Sequence, residues 1–148
     1  MAQTSTTIIA SKSHKADVTG TDISFTATSG IYKITSTSTA LNNFAVKDLI
    51  TVTGTTNNNS TFTVKTVTDA NELIVEEIVT AETADGSTTY TLDHTGFVSE
   101  QEKGDGYYSH PDGVHTVAYK VNTTLTGSIK MQGTLATTPT EDDWFDIS

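Results

Sequence analysis

The chain has 148 residues, no cysteine and a formal net charge of −10, with 34% hydrophobic and 18% charged residues. The absence of cysteine excludes disulfides, thiol chemistry and cysteine-ligated zinc, and the acidity disfavours binding to nucleic acid or to an anionic membrane. Thr makes up about a fifth of the chain, and its β-branched side chain fits a half-exposed pleated sheet. The composition therefore predicts a folded all-β protein with Thr-rich outer faces.

The first two thirds of the chain alternate apolar and polar residues in short segments separated by turn signals. The Asn-rich tract 55–60 predicts a turn, because Asn tolerates positive φ. The segments on either side then form a hairpin, with Ile50 and Val52 on one face of the first strand and Phe62 and Val64 on one face of the second. We expect strands at 6–10, 23–27, 31–35, 44–49, 50–54, 61–67, 72–76 and 88–92, and a polar loop at 11–20.

The last third begins with a charged, Gly-containing stretch, 99–105, which predicts a linker or long loop. Residues 110–113, His-Pro-Asp-Gly, predict a turn, because Pro presets φ and Gly supplies positive φ. The segment 114–121 predicts a strand whose inward residues are Val117, Tyr119 and Val121.

Residues 125–135 alternate most regularly, with apolar or small residues on one face and polar residues on the other. Gly127 and Gly133 on the apolar face predict the close approach of another backbone, or a bulge. We expect Trp144 and Phe145 near the end of the chain to pack on the sheet or on a neighbouring subunit, since large aromatic side chains gain from burial.

The spacing of turns predicts a sandwich or barrel. The first residues lack the basic and apolar regions of a signal peptide, and no apolar run approaches the roughly 20 residues that cross a bilayer. We therefore expect no membrane partner.

No set of residues predicts catalysis or a cofactor. The four histidines lack metal-site spacing; His110 and His115 flank the turn that holds Asp112, and polar flanks of a turn account for them. The acidic run 141–143 lacks the spacing of a calcium loop, and a solvated acidic turn accounts for it. We expect no metal, no cofactor and no enzyme activity.

The tyrosines leave two alternatives open. Tyr107, Tyr108 and Tyr119 either fill a sandwich core or a subunit contact, or they form an exposed aromatic platform that stacks on sugar rings. With Trp144 and Phe145 they make up the predicted interaction surface.

Two segments carry a resemblance. Residues 44–64, with 23–25, 74–75 and 82–86, resemble a small β module common in phage structural proteins, which typically reads F-x-V-G-D-x-I-x-V-x-G-S-x-x-N-D-G-T-F-T-V. This chain departs from it at Lys47, where Gly is usual, and at Asn59-Ser60, where Asp-Gly is usual.

The second segment comprises Gly104-Asp105-Gly106-Tyr107-Tyr108, the stretch 127–136 and residues 143–147, and it is similar to a domain of virion structural proteins from cyanophages and other marine tailed phages. Together the resemblances imply a jelly-roll-like β-sandwich formed by residues 1–20 and 99–148, with a small β-barrel-like module, 21–98, inserted into it.

These observations predict a non-enzymatic virion component assembled in the host cytoplasm, either a capsid decoration protein or another accessory subunit. Its partners are expected to be major capsid or tail proteins and further copies of itself, with a homotrimer favoured by analogy with symmetric particle sites. The alternative is a tail-associated module that binds a host glycan receptor.

Overall fold

The fold is all-β, as the sequence predicts. The computed structural model describes residues 7–102, 117–121, 124 and 126–147. The chain divides into two compact units, Met1–Glu102 and Lys103–Ser148. All strand pairs in the described residues are antiparallel, and the architecture is consistent with a β-sandwich.

The first unit contains one seven-stranded sheet in the order β1-β7-β4-β5-β6-β3-β2. Its strands are β1 Val18–Gly20, β2 Ser24–Thr28, β3 Ile31–Thr35, β4 Asp48–Thr53, β5 Thr61–Asp69, β6 Glu72–Val75 and β7 Tyr90–Phe97. The second unit contains β8 Met131–Gly133 and β9 Phe145–Ile147, which pair with each other, and a 3-10 helix at Glu141–Asp143.

The seven-stranded sheet curls, because its two outermost strands are close neighbours in the chain. Only residues 21–23 separate β1 from β2, and such a link spans at most about 14 Å. In a flat sheet the outer strands would lie roughly 29 Å apart, at about 4.8 Å per strand. The ring of Phe25 on β2 also lies 6.3 Å from that of Tyr90 on β7. The sheet therefore wraps around a single core.

The core of this unit is built from the inward-facing residues of the alternating strands, and it contains the faces predicted for the 50–64 hairpin. Its side chains are at most 4% exposed. The members are Ile23, Phe25, Ile34, Leu41, Phe44, Ile50, Val52, Phe62, Val64, Leu73, Val75, Val79, Tyr90 and Leu92.

Most of the predicted strands of the first unit are present, with boundaries shifted by a few residues. Three predictions are wrong. The segments 44–49 and 50–54, predicted as two strands, form one strand, β4, because the backbone turns before it, where the Asp48 N–H donates to the Ala45 carbonyl at 3.1 Å. Residues 7–10 of the predicted first strand are not in a strand, and Val18–Gly20, predicted as loop, forms β1 against β7. Among the described residues, 7–10 take part in no strand pairing and are exposed, whereas Val18 is paired with Leu92 and packs against the core.

Lys47 stands in a backbone conformation that favours glycine, the residue usual at this position of the phage module that the sequence resembles. Its backbone φ is +69°, a left-handed conformation that costs an ordinary residue roughly 1–2 kcal/mol and glycine nothing. The module's usual glycine suits this conformation. Here the chain carries Lys47 instead, and its Nζ lies 3.0 Å from Oε1 of Glu76.

In the second unit the predicted strands are shorter than expected. Residues 117–121 are not in a strand, and the predicted inward residues Val117, Tyr119 and Val121 are 48%, 71% and 42% exposed. Among the described residues of the segment 125–135, only Met131–Gly133 form a strand. In the described part of this unit there is no second sheet to cover these side chains, so alternation alone does not bury them.

The predicted grouping of residues 1–20 with 99–148, around an inserted 21–98 module, stays a prediction, although β1 itself belongs to the seven-stranded sheet. In the described ranges no helix has the length and apolar character needed to cross a membrane.

Candidate functional site

A buried cluster of charged groups lies at the start of β4. The Asp48 side chain is 0% exposed, and its Oδ2 atom lies 2.6 Å from Nζ of Lys15. The same oxygen accepts a hydrogen bond from the backbone N–H of Ala45 at 2.8 Å. Nζ of Lys12 lies 3.8 Å from Oδ1. Both lysines come from the irregular segment 11–17, so the carboxylate holds this segment on the sheet.

His94 on β7 is the second buried titratable group of the cluster. Its Nε2 atom lies 3.7 Å from Oδ2 of Asp48, too far for a hydrogen bond. Its Nδ1 atom accepts a weak hydrogen bond from the backbone N–H of Lys15 at 3.4 Å, which places the proton of the neutral ring on Nε2. Among the described residues, neither Nε2 of His94 nor Oδ1 of Asp48 has a hydrogen-bond partner.

Aromatic rings surround His94 on several sides. Phe44 lies nearly parallel to it at 6.4 Å between ring centres, Phe97 lies at 4.7 Å and His14 contacts it edge-on at 4.9 Å. Burial lowers the pKa of His94, and the Asp48 carboxylate only partly opposes this effect. The imidazole is therefore neutral near pH 7, enclosed by rings and by the segment 11–17.

Two further contacts hold the same segment. The Asn43 side chain donates a hydrogen bond to the carbonyl of Ala16 at 2.7 Å. A hydrogen bond shared with the Asp17 carboxyl raises the pKa of Asp93, and burial acts in the same direction. The cluster thus contains two lysines, three carboxyls and two histidines, and its contacts join the segment 11–17 to the sheet.

Glu82 forms a second polar centre, at the Asn-rich turn. Its carboxylate accepts hydrogen bonds from the backbone N–H groups of Thr56 and Asn57 at 2.8 and 3.0 Å, from Nδ2 of Asn58 at 2.9 Å and from the Tyr90 hydroxyl at 3.1 Å. Burial acts to raise the pKa of Glu82, but these hydrogen bonds outweigh it and the pKa is lowered. Glu82 therefore ties the turn to the sheet.

Two further carboxylates hold turns of the backbone in the same way. Asp22 accepts hydrogen bonds from Thr37, Ser38 and Thr39, and these, with the Thr39 hydroxyl first, lower the pKa of its carboxyl. In the predicted acidic turn, Asp143 accepts hydrogen bonds from the backbone and hydroxyl of Thr140. Among the described residues, no three His, Asp or Glu side chains converge as a metal site requires.

The predicted interaction surface is described only in part. Tyr107 and Tyr108 lie outside the described residues, so the predicted tyrosine platform stays a prediction. Tyr119 is 71% exposed, Trp144 is half-buried and Phe145 is 52% exposed.

The β8–β9 hairpin has one apolar and one polar face. Met131 is paired with Ile147, and Gly133 with Phe145; directly paired residues and alternate residues share a face. A Cβ placed on Gly133 would lie 2.9 Å from the Ile147 side chain, so the predicted close approach at Gly133 is made by cross-strand side chains and not by another backbone.

The opposite face of the hairpin is polar and internally paired. Asp146 lies there with Lys130 at 2.8 Å and Gln132 at 3.0 Å. We call the first face, formed by Met131, Gly133, Phe145 and Ile147, the apolar hairpin face. Its three large side chains are 46–52% exposed, with Ile147 at 47%.

Sequence reasoning missed the buried cluster of Asp48, His94 and Lys15. A signal for His94 was present: Tyr90, Leu92 and His94 alternate along β7 and all face inward. Asp48 carried no comparable signal, because it stands at the first position of its strand. Searches of protein-family models, curated protein sequences and solved structures give no match to this chain.

Proposed function

We propose that this chain is a non-enzymatic structural subunit of a phage particle, a capsid decoration or other accessory protein. Its work is passive: the curled sheet of the first unit is a rigid body, and the second unit attaches it to other subunits. The resemblance of residues 44–64, and of the segments 104–108, 127–136 and 143–147, to phage virion modules supports the class of particle.

The observation that carries the proposal is the contrast between the two units. The first unit has a buried core of fourteen apolar residues, although Ile31 and Ile78 are 46% and 76% exposed. Its Asp22, Asp48 and Glu82 are engaged in contacts within the unit. Among the described residues of the second unit none is buried. In the second unit Leu135 is 95% exposed and Phe145 is 52% exposed. The described part of the second unit contains one two-stranded sheet, which alone is at best marginally stable in water, so contacts beyond the described residues are expected to complete the unit.

The test is made on the particle of the phage that encodes this chain. Quantitative mass spectrometry of purified virions is expected to find the chain, and a cryo-EM map to place its seven-stranded sheet on the outer surface. Hundreds of copies identify a head decoration, and a few to tens identify a neck or tail component. Expression of the chain during infection without its presence in purified particles would refute the proposal, and specific binding to host-cell glycans would favour the receptor-binding alternative.

A further inference from the structure

We infer that the segment 11–17 is a pH-sensitive strap, which leaves the sheet when the buried His94 takes up a proton. Such a switch goes beyond the proposed function and concerns the first unit alone. Three of the contacts that hold the segment, from Lys12, from the Lys15 side chain and from the Lys15 backbone, converge on Asp48 and His94. This convergence carries the inference.

The contact to the Lys15 backbone exists only while His94 is neutral. Nδ1 of His94 accepts a hydrogen bond from the backbone N–H of Lys15 at 3.4 Å. When a proton from solvent binds Nδ1, both nitrogens of the imidazolium ring are donors, so two N–H groups then face each other. Protonation therefore replaces an attractive contact to the segment with a repulsive one.

The other two contacts are made to the Asp48 carboxylate, for which a charged His94 competes. Nζ of Lys15 lies 2.6 Å from Oδ2 of Asp48, and Nε2 of His94 lies 3.7 Å from the same oxygen. In the part of the chain that the structure describes, neither Nε2 nor Oδ1 of Asp48 has a hydrogen-bond partner. Because a charge-assisted hydrogen bond is about twice as strong as a neutral one, the imidazolium gains from closing this gap. The carboxylate then has a cationic partner within the sheet and no longer depends on Lys15.

The groups around His94 oppose its charge while the segment is docked. Burial has the largest influence on the pKa of His94 and lowers it; Asp48 on β4 acts to raise it, whereas His14 and Lys15 of the segment lower it further. Nζ of Lys12, 3.8 Å from Asp48, adds another positive charge on this side. Because the segment supplies part of the burial and these cations, its release returns the pKa toward the ordinary histidine value of about 6.5.

The direction of the pH effect follows from this difference. The released state binds the proton of His94 more readily than the docked state does, since the pKa is lower in the docked state. Docking is therefore most favourable above about pH 6.5 and is lost progressively as the pH falls below it. A single proton changes the ratio of released to docked chains by at most about tenfold per pH unit.

A second titratable contact of the segment acts in the opposite sense. A hydrogen bond shared with the Asp17 carboxyl raises the pKa of Asp93, and burial acts in the same direction. This pair gains its proton as the pH falls and then holds the segment more tightly. The hydrogen bond from Asn43 to the carbonyl of Ala16 contains no titratable group. The variant Asp93→Asn keeps a hydrogen-bonding side chain without the titration, so it isolates the contribution of His94.

The test measures how often the segment opens in the full-length chain. Proteinase K is active at neutral and at mildly acidic pH, and mass spectrometry identifies the cuts that fall within residues 11–17. Their rate is divided by the rate for a synthetic peptide of residues 7–20 at the same pH. When cleavage is slower than closing, this ratio follows the population of the open form. We expect the ratio to rise at least tenfold between about pH 7 and about pH 5, within the limit of about tenfold per pH unit.

Three variants assign the rise to one group. His94→Gln has no titrating ring and is expected to reduce the rise to less than twofold. The matched control His14→Gln removes the exposed histidine of the segment and is expected to keep a rise of similar size to that of the wild type. Asp93→Asn is expected to show a rise at least as large as the wild type. A wild-type ratio that does not rise, or a rise that His14→Gln abolishes and His94→Gln preserves, would overturn the inference.

A second measurement needs no variant. NMR spectra of the ¹⁵N-labelled wild-type chain report the protonation of the His94 ring and the amide shift of Lys15. We expect both to change with one midpoint below about pH 6.5, while the amides of β4 and β5 keep their protection factors against hydrogen exchange. A ring that takes up its proton with no change at Lys15 would contradict the switch. So would a loss of protection throughout β4 and β5 at the same pH, because the whole unit would then be unfolding.

Discussion

The ion pair between Lys15 and Asp48 offers the sharpest test of how the first unit is held together. The variant Lys15→Met keeps the aliphatic stem and removes the ammonium group. Asp48 is then left with 0% exposed surface, one backbone donor at 2.8 Å and the Lys12 ammonium at 3.8 Å. Removing one member of a buried ion pair costs about 3–5 kcal/mol. Because Lys15 is 21% exposed and Lys12 remains, we expect the lower end, about 3 kcal/mol.

A surface pair in the same unit is the matched control. Nζ of Lys33 lies 3.0 Å from Oε1 of Glu72, but the two side chains are 34% and 22% exposed. Such pairs contribute about 0–1 kcal/mol, so Lys33→Met is expected to cost less than 1 kcal/mol. The two substitutions are chemically identical, and the burial of the carboxylate is the main difference between them.

The assay is urea unfolding followed by far-ultraviolet circular dichroism. Trp144 is the sole tryptophan and lies in the second unit, so its fluorescence reports on that unit separately. The double variant Lys15→Met/Asp48→Asn also removes the negative charge of the buried Asp48 carboxylate, and it is expected to be more stable than Lys15→Met alone. If Lys15→Met lies within 0.5 kcal/mol of the wild type, or if the double variant is the less stable one, the Asp48 carboxylate does not depend on Lys15.

Three further predictions concern the first unit and use the same unfolding assay. Gly54 and Gly86 both have a positive φ, of +89° and +75°, but a Cβ added at Gly54 would lie 2.6 Å from a backbone carbonyl oxygen, whereas Gly86 has open space around it. Gly86→Ala is therefore expected to lower the free energy of unfolding by about 1 kcal/mol. Gly54→Ala is expected to lower it by at least about 2 kcal/mol more. Asn58 is 3% exposed and its side chain makes three hydrogen bonds, so Asn58→Ala is expected to lower the free energy of unfolding by about 2–3 kcal/mol. The control is Asn57→Ala, at an exposed position whose backbone N–H makes the contact with Glu82. It is expected to change the free energy of unfolding by no more than about 0.5 kcal/mol. Burial lowers the pKa of His94 in the folded chain, so the folded state binds this proton less readily than the unfolded state. The free energy of unfolding is therefore expected to fall as the pH drops through 6.5 and below, by at most about 1.4 kcal/mol per pH unit. His94→Gln is expected to flatten this pH dependence, and an unchanged dependence would show that His94 does not cause it.

Local alternation predicted the first unit well because neighbouring strands of the same chain cover its apolar faces. Ile50, Val52, Phe62 and Val64 are all buried, as their spacing indicates. The Asn-rich turn is also where the sequence places it. The attachment of this turn to the sheet was not predictable. It is made by the Glu82 carboxylate, which lies more than twenty residues further along the chain, and no local pattern encodes such a contact.

The buried ionic cluster escaped prediction for a related reason. Lys15 lies in a polar stretch that resembles an ordinary surface loop. Asp48 stands at the boundary between a turn and a strand, where an acidic residue is common and does not indicate a buried ion pair. Only the folding of the sheet brings Lys15 within 2.6 Å of Asp48. Charge partners separated by more than thirty residues are a property of the topology, which composition and periodicity do not contain.

The second unit shows what an alternating pattern does and does not indicate. Alternation in Met131, Gly133 and Leu135 places apolar or small residues on one face, but it says nothing about what covers that face. In the first unit the cover is the chain itself. In the described part of the second unit Met131 and Ile147 keep the register of a buried face and remain about half exposed. The hydrophobic gain that closes the first sheet is therefore not realised at these side chains within the described residues. Alternation thus predicts which residues share a face, and the cover of that face is a separate property of the fold.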